Sequence, residues 1–202
     1  MILDSGSGDV RFLFAHGAGA PMDSAFMNDV ASGLAAKGVR VIRFEFPYMA
    51  ARREGHRKPP DRQPVLLETW KTMIEAHRGE GKVFVGGKSM GGRYATMIAD
   101  EAGVDGVICF GYPFHPPGNP GQLRVDHLRA LRTPLLILQG TRDTLGSREE
   151  VAPLALSPAV RIEWFEDGDH SLKPRARSGH TYAGHLRDAV ARAAEFMGVV
   201  DR

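Results

Sequence analysis

Ser89 stands apart from the other serines of this chain by its neighbours. Gly87-Lys88-Ser89-Met90-Gly91 reads G-x-S-x-G, directly after the β-rich run KVFVG and directly before a helix-length run. A serine hydroxyl is a poor nucleophile near neutral pH. It needs a base within hydrogen-bond reach, and the base needs a third group to hold its tautomer and orientation. A sharp strand-to-helix turn lifts such a serine into strained backbone geometry, and glycines on either side remove the clashes that bulkier neighbours would make. The same turn puts the Met90 N–H and the positive end of a helix dipole where an oxyanion would develop. The chemistry in view is nucleophilic attack on an acyl carbonyl.

The acid and base belong on loops after later strands, in the chain order serine, carboxylate, histidine. Thr141-Arg142-Asp143 follows the run PLLILQG, and Asp167-Gly168-Asp169-His170-Ser171 follows VRIEWFE. Of the eight histidines, only His170 immediately follows the last strand candidate and precedes the last helix candidate. Ser89, Asp143 and His170 are thus the expected nucleophile, orienting acid and general base. A second oxyanion donor is expected from His16-Gly17-Ala18-Gly19 after the first strand candidate, with the Ala18 N–H as donor beside the Met90 N–H. Gly17, Gly19, Tyr48 and His115 are the candidates for contact with substrate.

Each assignment has a plainer counterpart. Ser89 could sit in a glycine-rich turn that only packs a helix on a sheet, and Asp143 could cap a helix, leaving Asp126 as a substitute acid. His170 could be a solvated loop residue. Its acidic neighbours Glu166, Asp167 and Asp169 invite a metal, but no second ligand stands at a recognisable spacing, so no metal is expected. His16 reads as a hydrogen-bonding residue at a strand end rather than a second base. His115 either lines the rim of the site or pins a proline-rich turn. Cys109, inside GVICFGY, reads as a packing residue.

These residues need a frame that brings distant loops together. VRFLFAH, VRVIRFEF, KVFVGG, GVICFGY, PLLILQG and VRIEWFE are strand candidates. Helix candidates run from about Ser24 to Lys37, Val65 to His77, Met90 to Glu101, Arg124 to Arg132, Glu149 to Leu156 and Tyr182 to Met197. Alternating strands and helices predict a doubly wound, mostly parallel sheet of about six strands, covered on both faces. No repeat or linker divides the chain, so residues 1–202 are expected to form one domain. Arg52, Arg53, His56, Arg57, Lys58 and Arg62 share a stretch with proline and glycine and read as a loop that is either solvated or in contact with an anion.

Composition narrows the classes. The chain has 202 residues, 43% hydrophobic and 25% charged, with a formal net charge of +2. Whole-chain charge does not argue for nucleic acid, and the basic run lacks aromatic interleaving. No apolar run reaches membrane-spanning length, and MILDSGSGDV has neither the basic start nor the apolar core of an export signal. The single cysteine rules out an intramolecular disulfide, which fits a reducing, cytoplasmic setting. No nucleic-acid or membrane partner is expected, and the chain reads as a monomer or homodimer.

Taken together, HGAGA, GGKSMGGR, GTRD and GDH resemble the α/β-hydrolase superfamily over nearly the whole chain. FEFPYM with its basic PPDR loop, and GYPFHPPG, look like a small hydrolase-like group related to the testis-expressed 30 protein, which includes a histone-acetyltransferase complex subunit. The resemblance implies an α/β-hydrolase fold with elbow, acid and base at Ser89, Asp143 and His170. It implies an esterase-type serine hydrolase acting on a small acyl ester, thioester or amide without cofactor. The group's complex subunit keeps a second reading open, a catalytically idle domain used as a protein-interaction module. One departure is expected: only nine residues precede the first clear strand, so the two antiparallel strands that usually open the fold should be missing. No insertion is long enough for a lid domain, so any acyl pocket should be shallow or open.

Overall fold

A computed structural model describes residues 1–199. One seven-stranded sheet runs through them in the order β1-β3-β2-β4-β5-β6-β7. Its strands are β1 (Ile2–Ser5), β2 (Arg11–Ala15), β3 (Arg40–Phe44), β4 (Val83–Lys88), β5 (Gly106–Phe110), β6 (Leu135–Gly140) and β7 (Val160–Phe165). The six from β2 to β7 are parallel to their neighbours, and only β1 runs antiparallel, against β3. Helices α1 (Ala25–Ala36), α2 (Pro47–Arg53), α3 (Gln63–His77), α4 (Met90–Ala102), α5 (Arg148–Val151) and α6 (Tyr182–Phe196) fill the crossovers. This is the α/β-hydrolase fold that the resemblance implies, and its parallel, doubly covered sheet is what the alternation of strand and helix patterns predicts.

Side chains alternate across a strand, so neighbouring residues feed two separate cores. Leu13, Val85, Val107 and Ile137 face the layer of α3 and α4, together with Ile74, Ala95 and Ile98. Phe12, Phe84, Ile108 and Leu136 face the layer of α1 and α6, with Val30, Leu34, Ala189 and Ala193. The near-continuous apolar runs of β5 and β6 follow from this, since every residue of both strands is buried. Phe44, Phe46 and Trp70 wedge α3 against the sheet edge through edge-on ring contacts at 4.9–6.5 Å between centroids. Burial of each phenylalanine stabilises the fold by roughly 2 kcal/mol.

The structure departs from the sequence expectations at the short elements. The sheet has seven strands rather than six, because Ile2–Ser5 does pair with β3, in register Ile2 with Phe44 and Ser5 with Val41. One antiparallel opening strand is therefore present where none was expected. Arg52 and Arg53 close α2 rather than belonging to a loop, which spans only residues 54–62. The helix expected over Arg124 to Arg132 is a 3-10 turn at Asp126–Arg129, and the one expected from Glu149 is a single turn capped by Ser147. The β5–β6 connection carries no other helix, so nothing covers the carboxyl ends of the strands as a lid domain would. Among the described residues no helix is long and apolar enough to cross a membrane.

Candidate active site

The elbow begins with β4, which ends at Lys88, and α4, which begins at Met90. Ser89 between them has φ 52° and ψ −115°, one of three non-glycine residues with positive φ among those described. Its N–H donates to the Phe110 carbonyl at 3.1 Å and its own carbonyl accepts from the Arg93 N–H at 3.0 Å. The turn is possible because its flanks are glycine. A Cβ on Gly87 would lie 2.4 Å from the Ala15 carbonyl oxygen, and one on Gly91 2.6 Å from that of His16. The sequence motif thus reflects the contact between the elbow and the end of β2.

Ser89, His170 and Asp143 meet in one hydrogen-bonded line. His170 Nε2 lies 2.8 Å from Ser89 Oγ, and His170 Nδ1 lies 2.7 Å from Asp143 Oδ2. An ionised carboxylate can only accept, so the neutral imidazole carries its proton on Nδ1 and leaves Nε2 to accept from the serine hydroxyl. Asp143 is fully buried. Its Oδ1 accepts from the Leu145 N–H at 2.8 Å, and its Oδ2 also accepts from Gln139 Nε2 at 2.8 Å. Gln139, the last polar residue of an otherwise apolar strand, is itself held by the Tyr112 N–H at 2.7 Å on its Oε1. Both oxygens of the buried carboxylate are therefore satisfied, as a charge out of water requires.

The loop that carries His170 is held by charge and backbone strain. Lys88 Nζ donates to the His170 carbonyl at 2.5 Å. Burial pushes the Lys88 ammonium down to about 8, against the pull of Asp143 and Asp169. Asp169 Oδ1 accepts from the N–H groups of Ser171 and Lys173, at 2.8 and 3.0 Å. Asp167, at φ 56°, is paired with Arg175 and with Arg142, the latter at 3.0 Å. The Arg175 guanidinium and backbone hold the Asp167 carboxyl well below the usual carboxylate range. The acidic residues around His170 thus fold the loop, and among the described residues no group of three potential ligands is arranged to hold a metal ion.

The loop after β2 is fixed from behind. His16 is buried, its Nδ1 donating to the Gly17 carbonyl at 2.7 Å and its Nε2 accepting from the Phe46 N–H at 3.1 Å. Burial lowers its pKa and keeps it neutral. The Tyr48 hydroxyl lies 3.3 Å from the Gly17 carbonyl and 3.1 Å from that of Ala18. In a trans peptide the N–H points away from the preceding carbonyl, so anchoring the Gly17 oxygen toward α2 turns the Ala18 N–H the other way. That N–H has no hydrogen-bond acceptor among the described residues. Gly17 packs against the elbow, with a notional Cβ 3.6 Å from Ser89 Cβ. The Met90 N–H, first in α4, precedes the intrahelical ladder and is equally free to donate outward.

Other expected participants lie elsewhere. Tyr48, expected at the substrate, is fully buried, and its ring and hydroxyl are spent on the Gly17–Ala18 loop. His115 is buried with Nδ1 on the Pro116 carbonyl at 2.9 Å, so it pins the proline-rich turn. Gly19 is exposed, with open space where a side chain would project. Asp126, the substitute acid, is exposed on its 3-10 turn, whereas Asp143 contacts the imidazole. Cys109 is buried beneath Gly92, and burial pushes its thiol up. Arg53 is neutralised by Glu45 and Asp23, while Arg52 donates to the Lys58 carbonyl at 2.7 Å and reaches the Ala18 carbonyl at 3.4 Å. Sequence reasoning passed over Lys88 and Gln139. A glutamine closing an apolar strand was a usable signal, because a buried amide needs polar partners. Lys88, at an unconstrained position of the motif, gave none.

Residues 8–198 match the family described as alpha/beta hydrolase domain. Among solved structures, an alpha-beta serine hydrolase homologue from Coxiella burnetii superposes with a TM-score of 0.71 at 20% identity, covering 96% of this chain and 89% of that one. A serine hydrolase without lid from Xanthomonas campestris gives 0.71 at 17% identity, covering 96% and 87%. Dienelactone hydrolase from Anabaena variabilis gives 0.72 at 20% identity, covering 100% and 91%. At these identities the likeness is one of fold.

Proposed function

The chain belongs to the alpha/beta hydrolase family, and on that premise we propose that it is a serine hydrolase cleaving an acyl ester, thioester or amide through an acyl-enzyme on Ser89. The observation that carries this reading is the line from Asp143 to His170 to Ser89, with contacts of 2.7 and 2.8 Å. As Ser89 Oγ bonds to the carbonyl carbon, its proton passes to His170 Nε2 and the carbonyl electron pair moves onto oxygen. The Met90 and Ala18 N–H groups are the donors to that oxyanion, and Tyr48 positions the second of them. Collapse of the intermediate breaks the bond to the leaving group, which takes the proton from His170. Water then repeats the sequence, releasing the acid and restoring Ser89. Asp143 holds the tautomer and stabilises the transient imidazolium. The motifs FEFPYM and GYPFHPPG favour kinship with the small group named above.

The test is intact-mass analysis after exposure to a fluorophosphonate probe, with Ser89→Ala and heat-denatured protein alongside. One adduct that needs both the native fold and Ser89 is expected, and Ser89→Ala should lose ester turnover by at least about 10⁴-fold while remaining folded. A folded wild-type protein that takes no adduct would overturn the assignment and leave the interaction module as the better reading.

A further inference from the structure

Several guanidiniums in this molecule have a carboxylate beside them, as Arg142 and Arg175 on Asp167 and Arg192 on Glu163, or bond to carbonyl and amide oxygens, as Arg43 on Met22 and Asn28 and Arg52 on Lys58. Arg93 and Arg124 do not. Both are partly buried, and among the described residues neither forms an ion pair. Arg93 Nε is buried with no hydrogen-bond partner, and its guanidinium carbon sits 4.9 Å from the centre of the Tyr94 ring. Burial disfavours the charge on Arg124, and repulsion from the nearby Arg93 adds to it. The histidine beside them gives no relief, because burial and Arg93 together push His127 down to about 4, so it is neutral. It is bonded to Thr96 Oγ1 at 2.8 Å. Two like charges withdrawn from water without a counter-charge are costly, and such an arrangement is explained when an anion completes it.

The pair is also tied to the nucleophile through the backbone. Arg93 lies in the first turn of α4, its N–H on the Ser89 carbonyl at 3.0 Å. The Arg124 N–H donates to the Phe114 carbonyl at 2.7 Å and its carbonyl accepts from the Tyr112 hydroxyl at 2.8 Å. Tyr112 in turn holds Gln139, which holds Asp143. The backbone segments that carry the two arginines are thus tied to the nucleophile and to the acid. We propose that Arg93 and Arg124 form an anion subsite, and that the substrate cleaved at Ser89 carries a carboxylate or phosphate group that binds there. This rests on the serine-hydrolase reading for its second half only, since the subsite exists whether or not Ser89 turns over.

Anion binding is measured first, by calorimetry with inorganic phosphate and with glutarate on the full chain, for wild type, Arg93→Gln and Arg124→Gln. Matched esters are then compared: a butyrate against a glutarate monoester with the same leaving group, and a neutral alcohol against one bearing a phosphate monoester with the same acyl group. The expected result is anion binding weakened about tenfold or more in each variant, and a wild-type kcat/KM ratio of anionic to neutral ester that falls by a similar factor in each variant. Arg124→Lys should keep part of that ratio, which a merely packing role would not predict. The arm that responds tells whether the charge lies on the acyl or the leaving-group side. Neutral ester cleaved with no anion bound and no preference would overturn the subsite while leaving the hydrolase reading intact. Anion bound by the arginines with no ester cleaved would uphold the subsite and sink the hydrolase reading.

Discussion

The proposed acid and the proposed base are held in contrasting ways. Asp143 is fully buried, and its carboxylate is held by a backbone N–H, a buried glutamine and the imidazole. His170 lies on a partly exposed loop whose shape depends on residues at positive φ, on Asp167 and Asp169, and on one lysine reaching its carbonyl. The acid is fixed by the packed end of the sheet, the base by a framework of charges near solvent. The base is therefore the part of the line whose position should respond to pH and to single surface-side changes, while the acid should respond to little except loss of its own buried partners.

The largest test of this contrast is Asp143→Asn. The carboxamide keeps the shape but can present its N–H₂ to Nδ1, stabilising the wrong imidazole tautomer, and kcat should fall by about 10⁴-fold with little change in melting temperature. Next comes Gln139→Leu, which leaves the Tyr112 N–H without a partner and removes one of the two donors to Asp143 Oδ2. Unfolding in urea should show a loss of about 1–3 kcal/mol, and turnover should fall with it. If Gln139→Leu proved neutral in both, the claim that the acid depends on its buried network would be wrong.

The smallest effect is expected on the base side, from Lys88→Met. Lys88 titrates near 8 in the folded chain against 10.5 for an unperturbed lysine. Between those values the unfolded chain binds more protons than the folded one, so this group makes stability rise as pH increases through the window. Lys88→Met should flatten that rise, measured as the difference in unfolding free energy between wild type and variant from pH 8 to 10. It should also loosen the loop, read as faster amide exchange at residues 169–173. A variant with the wild-type pH profile would show that the ammonium is solvated and does not hold the loop.

Much of the frame was legible because a parallel strand buried on both faces must be apolar throughout, as PLLILQG and GVICFGY are. The order of Ser89, Asp143 and His170 was legible because each lies just past a strand end, where loops of this fold converge. β1 was not, because its four residues alternate only between exposed and half-buried, too short and too weak a pattern to read, and pair with a strand some forty positions away. α2 was missed because its two arginines read as the start of a polar loop, although Pro47 at its first turn was a helix-start signal. The direction of Tyr48 could not be read from FEFPYM at all. Whether a tyrosine faces a ligand or a neighbouring backbone depends on where β2 ends, and only the fold supplies that.

The strained backbone at Ser89 has a consequence for how such a protein survives selection. Holding a serine at φ 52° and ψ −115° costs on the order of 1–3 kcal/mol, a sizeable share of a typical domain's net stability. Glycine adopts those angles freely. Ser89→Gly should therefore melt at a higher temperature than wild type, although a gain in unfolded-chain freedom offsets part of the benefit. Selection for thermal robustness alone would favour losing this hydroxyl, so a serine at that angle sets a standing cost to the fold against the reactivity proposed for it.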